Sequence, residues 1–363
     1  MPDWTKSMKQ TYEFYQVNPV TWHDLKPIRT ITGCTIKRDS TQETLGSATI
    51  TSTEDLKECY IRVYLVTYQK DDKNQNGIKE RFVLGTFLAQ TPEHNFDGRN
   101  SSIQIDCYTP LLELKDTYPP LGYTVFKGTN TMDVAYDIIH ENCRAPAVLP
   151  KDINHEMIQD FVADPKDSWL SFLTDLMANA EFKFGLEDNC SIFFDKIQDM
   201  KSLQPMYTFS DDNSSLLQPS ITDKRDLYGV PNVLEMVYTT DTKDYYHTVV
   251  ENNDENSEIS IVNRGRRVVK RIDNPQFTGN PSQAEFEEYA RQQLLALSTL
   301  EHTVTFTHGF IPKVKLGTCV RLNYKRAGLE NVRARITSQS INCVTGCTVE
   351  ATATYTTELW NGE

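Results

Sequence analysis

The chain has 363 residues and a mass of 41.6 kDa, more than one hydrophobic core normally organises, so two to four compact units are expected. Apolar residues at 39%, charged residues at 24% and a mean hydropathy of -0.50 fit a folded protein with a large surface and exclude a disordered one. Lys and Arg total 37 against 50 Asp and Glu, and the resulting charge of -13 repels phosphate backbones and argues against general nucleic-acid binding.

No apolar run of about 18 residues occurs, and the opening MPDWTKSMKQ lacks the layout of a signal peptide. The expectation is a protein made and kept in a cytosol-like compartment, without membrane insertion. Eight cysteines (Cys34, Cys59, Cys107, Cys143, Cys190, Cys319, Cys343 and Cys347) are scattered, mostly in apolar alternating segments, where a thiol serves as a small hydrophobe.

In chain order, the first segment carries Trp4, Tyr12, Phe14, Tyr15 and Trp22 without a clear period, which suggests an arm that packs on a neighbouring subunit. Short strands follow from Ile31 to Cys107. Cys59, Ile61, Val63 and Leu65 alternate with Tyr60, Arg62, Tyr64 and Val66, which describes a sheet with two different faces. Asn76-Gly77 reads as a hairpin turn. Residues 1–120 are expected to form an antiparallel barrel or sandwich.

The pattern then becomes helical. Thr131 is the expected N-cap of a helix whose stripe is Val134, Ala135, Ile138 and Ile139. A second helix is expected to start at Asp164 as N-cap with Pro165 first, burying Trp169, Leu173, Leu176 and Ala180. It runs into a hairpin of Phe182-Lys183-Phe184 and Ile192-Phe193-Phe194 about a Glu187-Asp188-Asn189 turn, so 121–200 reads as an α+β insert. Strands return after Pro205. An acidic loop (Glu251 to Glu258), a basic strand-like run (Arg264 to Arg271) and a helix opening on a Ser282-x-x-Glu285 capping box interrupt them. Residues 201–250 and 300–363 are read as a second β unit, with 251–299 inserted.

No catalytic motif stands out. The seven histidines form no HExxH and no metal-ligand spacing with cysteine, and GxSxG, SxxK and Gly-rich phosphate loops are missing. Cys343 and Cys347 flank Val344-Thr345-Gly346 and read as small buried residues of a hairpin. The run Arg264 to Arg271 carries five cations in eight residues, the densest basic patch in an acidic chain, suited to pairing with an acidic face of the same protein or of a partner. Aromatic and charge clustering nominate Trp4, Tyr12, Tyr15, Trp22, Arg264, Arg266 and Arg267 as interface residues. No catalytic, cofactor or metal residue is nominated.

The order of segments carries a resemblance. A β unit, then YTVFKGTNTMDVAYDII, DPKDSWLSFLTDLMANAEFKFGLEDNCSIFF, GVPNVLEMVY, NRGRR and AEFEEYARQQLLAL resemble phage baseplate hub proteins over nearly the whole chain. These are the T-even-type and Mu-type hubs, the hubs of PBSX-like prophages and the N-terminal part of VgrG spikes. The resemblance implies two tail-tube-like antiparallel β-barrels plus a small insert with a LysM-like outline. It also implies a non-enzymatic homotrimer that joins a six-fold tube to a three-fold spike and lets tape measure and DNA pass. Implied partners are the tail tube or distal tail protein, the central spike, the tape-measure protein and the baseplate wedges. The implied place is the virion tail, assembled in the host cytoplasm. The chain stops at Trp360-Asn361-Gly362-Glu363, so wall cleavage or puncturing is expected of separate proteins. The alternatives are a tail-associated cell-wall hydrolase using unrecognised carboxylates, or a wall-binding adhesin acting through 121–198.

Overall fold

The aromatic-rich start is a strand in the computed structural model, which describes residues 2–71, 74–99, 101–148, 155–198, 200, 202–212, 217–239, 245–273, 275 and 282–362. Strand β1 (Lys9–Val17) pairs antiparallel along its whole length with the segment 60–68. The sequence shows no period there because Phe14 enters the core on one face while Tyr15, its neighbour, meets Tyr64 on the other. With β2 (Asp24–Pro27), β3 (Ile31–Asp39), β4 (Gly46–Ser52), β5 (Tyr60–Asp71), β6 (Asn74–Phe96) and β7 (Ser101–Tyr108) it forms the antiparallel order β3-β4-β7-β6-β5-β1-β2. The two-faced reading of β5 holds: Ile61, Val63 and Leu65 join one core and Tyr60 another.

The Asn76-Gly77 turn is corrected. Strand β5 runs to Asp71, which pairs with Asn74 at the start of β6, so Asn76 and Gly77 lie within the strand rather than at a turn. Gly77 sits inside β6 with φ +65°, where the register shifts, a conformation that glycine adopts without a Cβ penalty.

Helix α1 (Leu111–Lys115) leads into the insert, which comprises β8 (Thr124–Val125), α2 (Thr131–Asn142), β9 (Phe161–Val162), α3 (Trp169–Asn179), β10 (Phe182–Leu186) and β11 (Ile192–Lys196). Both expected caps move. Asn130, not Thr131, caps α2, its side chain accepting from the Met132 N–H at 2.9 Å, while Thr131 is buried. Ser168, not Asp164, caps α3 through the Ser171 N–H at 3.2 Å. Asp164 instead closes a turn in which its carboxylate accepts from Lys166 N and its carbonyl from Asp167 N. The predicted stripe and hairpin stand: Trp169, Leu173, Leu176 and Ala180 are buried, and Phe184 pairs with Phe194.

The chain then passes through β12 (Tyr207–Ser210) and β13 (Leu217–Asp226) to β14 (Val233–Thr239), β15 (Tyr245–Glu251), α4 (Ile261–Arg264), β16 (Val269–Asp273) and α5 (Gln283–Leu297). Four long strands finish it: β17 (Thr299–Gly309), β18 (Cys319–Tyr324), β19 (Leu329–Asn342) and β20 (Thr348–Glu358). Two compact units result, Met1–Ile221 with Thr305–Ala353, and Thr222–Val304 with Thr354–Glu363. In the first, β19 pairs with β3 from Ser338 opposite Asp39 to Asn342 opposite Thr35, and β18 joins β19 to β12. Ile341 and Val349 thereby enter the same core as Ile50, Ile61 and Leu84. In the second, α5 lays Phe286, Ala290 and Leu294 on Leu234 and Met236 of the sheet β15-β14-β16, and Trp360 completes the cluster. The Ser282–Glu285 capping box is formed in both directions. The protein is mainly β, with mostly antiparallel pairing, parallel at β12–β18 and β14–β16, and a helix-containing insert.

Candidate assembly surfaces

The N-terminal aromatics are engaged within the first unit. Trp4 packs edge-on against Phe82 and Phe310, with centroids 5.2 and 5.7 Å away. The Tyr12 hydroxyl donates to the Val344 carbonyl at 2.8 Å. The Arg81 guanidinium lies 4.6 Å from the Tyr15 ring centre and 3.3 Å from that of Tyr64. Trp22 is buried at φ +57°, donates from Nε1 to the Asn189 carbonyl at 3.1 Å and meets Tyr60 edge-on at 4.8 Å. What this segment leaves outside is Val20, 89% exposed in the tight turn that Asn18 caps.

Behind Trp22 lies a buried charge site. Arg62 donates to the Asp24 carboxylate at 3.1 Å, the Trp22 carbonyl at 2.9 Å and the Thr86 hydroxyl at 2.9 Å. Tyr64 donates to the same carboxylate at 2.7 Å, and its own pKa is raised, first by burial and then by that bond. The network locks the 18–24 turn onto β5.

The basic run is not one strand. Ser260 caps α4, Gly265 ends it in the left-handed conformation at φ +61°, and the strand begins only at Val269. Arg267 pairs with Glu251 at 2.6 Å and Arg271 with Glu235 at 2.6 Å, and the Arg271 bond holds the Glu235 carboxyl below its usual range. Arg264 donates to the Val230 carbonyl at 2.7 Å, and burial, with Arg266 alongside, lowers its pKa. Arg266 is exposed and its side chain has no partner among the described residues.

The residue that organises this surface is Asn232, which in the sequence is one position of the segment GVPNVLEMVY. Fully buried, it donates to the carbonyls of Ile259 at 3.0 Å and Arg266 at 2.9 Å and accepts from Val268 N at 2.7 Å. A buried asparagine must satisfy both ends of its amide, and here doing so pins the basic loop to the sheet. Beside it Tyr228 is 95% exposed.

Histidines and cysteines take core positions. His302 bridges Asp223 at 3.1 Å and the Thr357 hydroxyl at 3.1 Å, stacked on Tyr355. The order of groups is that of a nucleophile triad, but the ring is 4% exposed, and nucleophilic attack on a substrate needs access as well as hydrogen bonds. His308 donates from Nδ1 to the Gly309 carbonyl, leaves Nε2 unpartnered among aromatic rings, and is depressed to about 4 by burial. Cys343 and Cys347 flank a turn in which Cys347 N donates to the Val344 carbonyl, and burial pushes the Cys347 thiol up to about 12. A thiol held there is no nucleophile near neutrality. Among the described residues no three His, Cys, Asp or Glu side chains converge to hold a metal, and no helix is long and apolar enough to cross a membrane.

Two concavities mark the first unit. One, about 450 Å³, lies between the sheet and the β10–β11 hairpin, walled by Leu84, Phe87, Phe184 and Phe193 and rimmed by Arg38 and Lys315. The other is an open groove of about 960 Å³ beside α1 and α2, reached by Val20 and lined with Glu58, Asp116 and Glu141. The insert also shows an apolar strip of Leu121, Phe126, Ile158 and Val162.

No protein-family model matches the sequence, and no curated protein matches it. Among solved structures, a tail protein from Neisseria meningitidis MC58 is similar over 95% of this chain and 97% of its own, at 14% identity and a TM-score of 0.63. A 43 kDa tail protein of prophage MuSo2 from Shewanella oneidensis is similar over 94% of this chain and 97% of its own, at 13% identity and a TM-score of 0.60. A prophage tail protein from Listeria monocytogenes EGD-e covers 94% of each chain at 9% identity and a TM-score of 0.51. The chain is therefore built, nearly end to end, on the fold of phage tail proteins.

Proposed function

We propose that the protein is the structural hub of a phage tail baseplate or a related contractile injection device: a non-enzymatic homotrimer that joins the six-fold tube to the three-fold spike and lets tape measure and DNA pass. In this reading residues 1–120 are one tube-like barrel, 201–250 with 300–363 a second, 121–200 the insert and 251–299 a further insertion. The partners are the tail tube or distal tail protein, the spike, the tape-measure protein and the wedges, and the place is the virion tail.

The observation that carries the reading is the end-to-end match, 95% of this chain against 97% of the Neisseria tail protein, at a TM-score of 0.63. The antiparallel order β3-β4-β7-β6-β5-β1-β2 supports a barrel in the first segment. A charge of -13 suits a passage through which DNA slides without sticking.

Electron microscopy and mass photometry of the purified chain, alone and mixed with tube and spike proteins, test this. A three-fold ring is expected, and a particle that stays monomeric in every mixture would overturn the reading. Peptidoglycan zymography tests the non-enzymatic part, where a clearing band abolished by a single Asp or Glu substitution would refute it.

A further inference from the structure

We propose that the tip formed by Tyr228 and Arg266 in the second unit seats in the acidic groove of the first unit of a second copy of this chain, so that copies join head to tail. The inference rests on the ring-forming reading above and supplies it with a specific contact.

The tip is built to be presented. Gly229, at φ +76°, reverses the chain behind Tyr228, whose N–H is held by the Asp226 carboxylate at 2.9 Å. The Arg264 guanidinium clamps the Val230 carbonyl, and Asn232 clamps that of Arg266, so the backbones under both side chains are fixed while the side chains face solvent. An exposed tyrosine beside an arginine has the composition of an interface hot spot, and the backbone beneath them needs no further ordering on binding. Arg266 also sits next to Arg264, whose pKa is lowered first by burial and then by that second positive charge, and a carboxylate from outside relieves the like-charge repulsion.

The groove has the complementary chemistry. Of its carboxylates Glu113 is taken by Arg144, whose charge Glu58 also feels, whereas Asp116 and Glu141 are exposed and meet no cation among the described residues. Beneath them the buried Tyr60 hydroxyl faces Glu113, its ring between Trp22 and Arg144, both of which line the groove. At about 960 Å³ the groove has room for a phenol and a guanidinium, and Val20 offers apolar surface at its mouth. Copies of a chain with charge -13 repel each other, so a local positive charge favours association, and with Arg267 and Arg271 paired to Glu251 and Glu235, Arg266 is a cation of the 264–271 run that no carboxylate among the described residues neutralises. The contact joins two different surfaces, and repeated contacts of that kind close into a ring when the rotation allows it.

The test is sedimentation velocity on the full chain, with the tube protein added if it is needed for assembly, at low and high salt. Arg266→Glu, Glu141→Arg and Tyr228→Ala should each weaken association roughly tenfold or more, and Arg266→Glu combined with Glu141→Arg should restore most of it. Added salt should weaken the wild type as well. A wild type that assembles while Arg266→Glu and Tyr228→Ala assemble equally well overturns this contact and leaves the ring reading intact. Loss in Arg266→Glu with a silent Glu141→Arg assigns the tip to another acidic surface and overturns the groove as its receptor. A wild type that never associates overturns the ring and the contact together.

Discussion

The insert and the small sheet of the second unit both lay amphipathic helix on strands, α2 and α3 in the insert and α5 in the second unit, yet their cores differ in ownership. The cluster around α3 draws Val17, Trp22, Tyr60 and Leu88 from the N-terminal sheet together with Phe172, Leu173 and Leu176 of the helix. The cluster around α5 consists of Leu234, Met236, Phe286, Ala290, Leu294 and Trp360, all within the second unit. The insert is therefore cemented to the sheet it interrupts, whereas the α5 cluster is self-contained. A shared core transmits strain and a small private one confines it.

Substitutions measure the difference. Trp169→Ala removes a ring that meets Tyr123 at 4.9 Å and Phe172 at 5.8 Å and should cost roughly 3–5 kcal/mol. Hydrogen exchange should then rise in 9–17 and 60–66 as well as in the insert, and a rise confined to 123–196 would break the comparison. Phe286→Ala should cost a similar 3–5 kcal/mol or so, with exchange rising only in 233–239, 245–251 and α5. Spread of that effect into β3 or β5 would show that the second core is not private.

A pH titration sharpens the same point for the first unit. The His308 imidazole takes a proton at about 4 when folded and near 6.5 when unfolded. Between those values the unfolded chain binds the extra proton, so stability falls as pH drops. The full contribution, roughly 3 kcal/mol, is present above about pH 6.5 and gone by about pH 4. Urea melts across this range should show that slope, and His308→Leu should flatten it. The smallest effect is expected from Ser282→Ala, which removes the capping box and should lower the stability of α5 by about 1 kcal/mol, read as faster exchange at 283–287.

The candidate surfaces were legible in part. The basic run was visible as charge density, but that Arg267 and Arg271 are neutralised by Glu251 and Glu235 depends on strand register across β14, β15 and β16, which local sequence does not encode. Tyr228 carries no signal of its own, since a tyrosine in a strand-rich stretch reads as core until a turn at Gly229 places it outside. The N-terminal aromatics read as free because their partners, Phe310 and Val344 among them, lie at the far end of the chain.

By itself the sequence determined the local pieces: the α3 stripe, the Phe184–Phe194 hairpin, the Ser282 capping box and the two chemically different faces of β5. Each depends on residues within a few positions of one another, where side-chain period and capping chemistry act directly. Only the tertiary structure decided that β1 is a strand, that β3 pairs with β19 from the opposite end of the chain, and that Asn130 and Ser168 rather than Thr131 and Asp164 cap their helices. Those outcomes turn on which neighbour bonds an unsatisfied backbone group or covers an apolar face, and that neighbour is supplied by the fold.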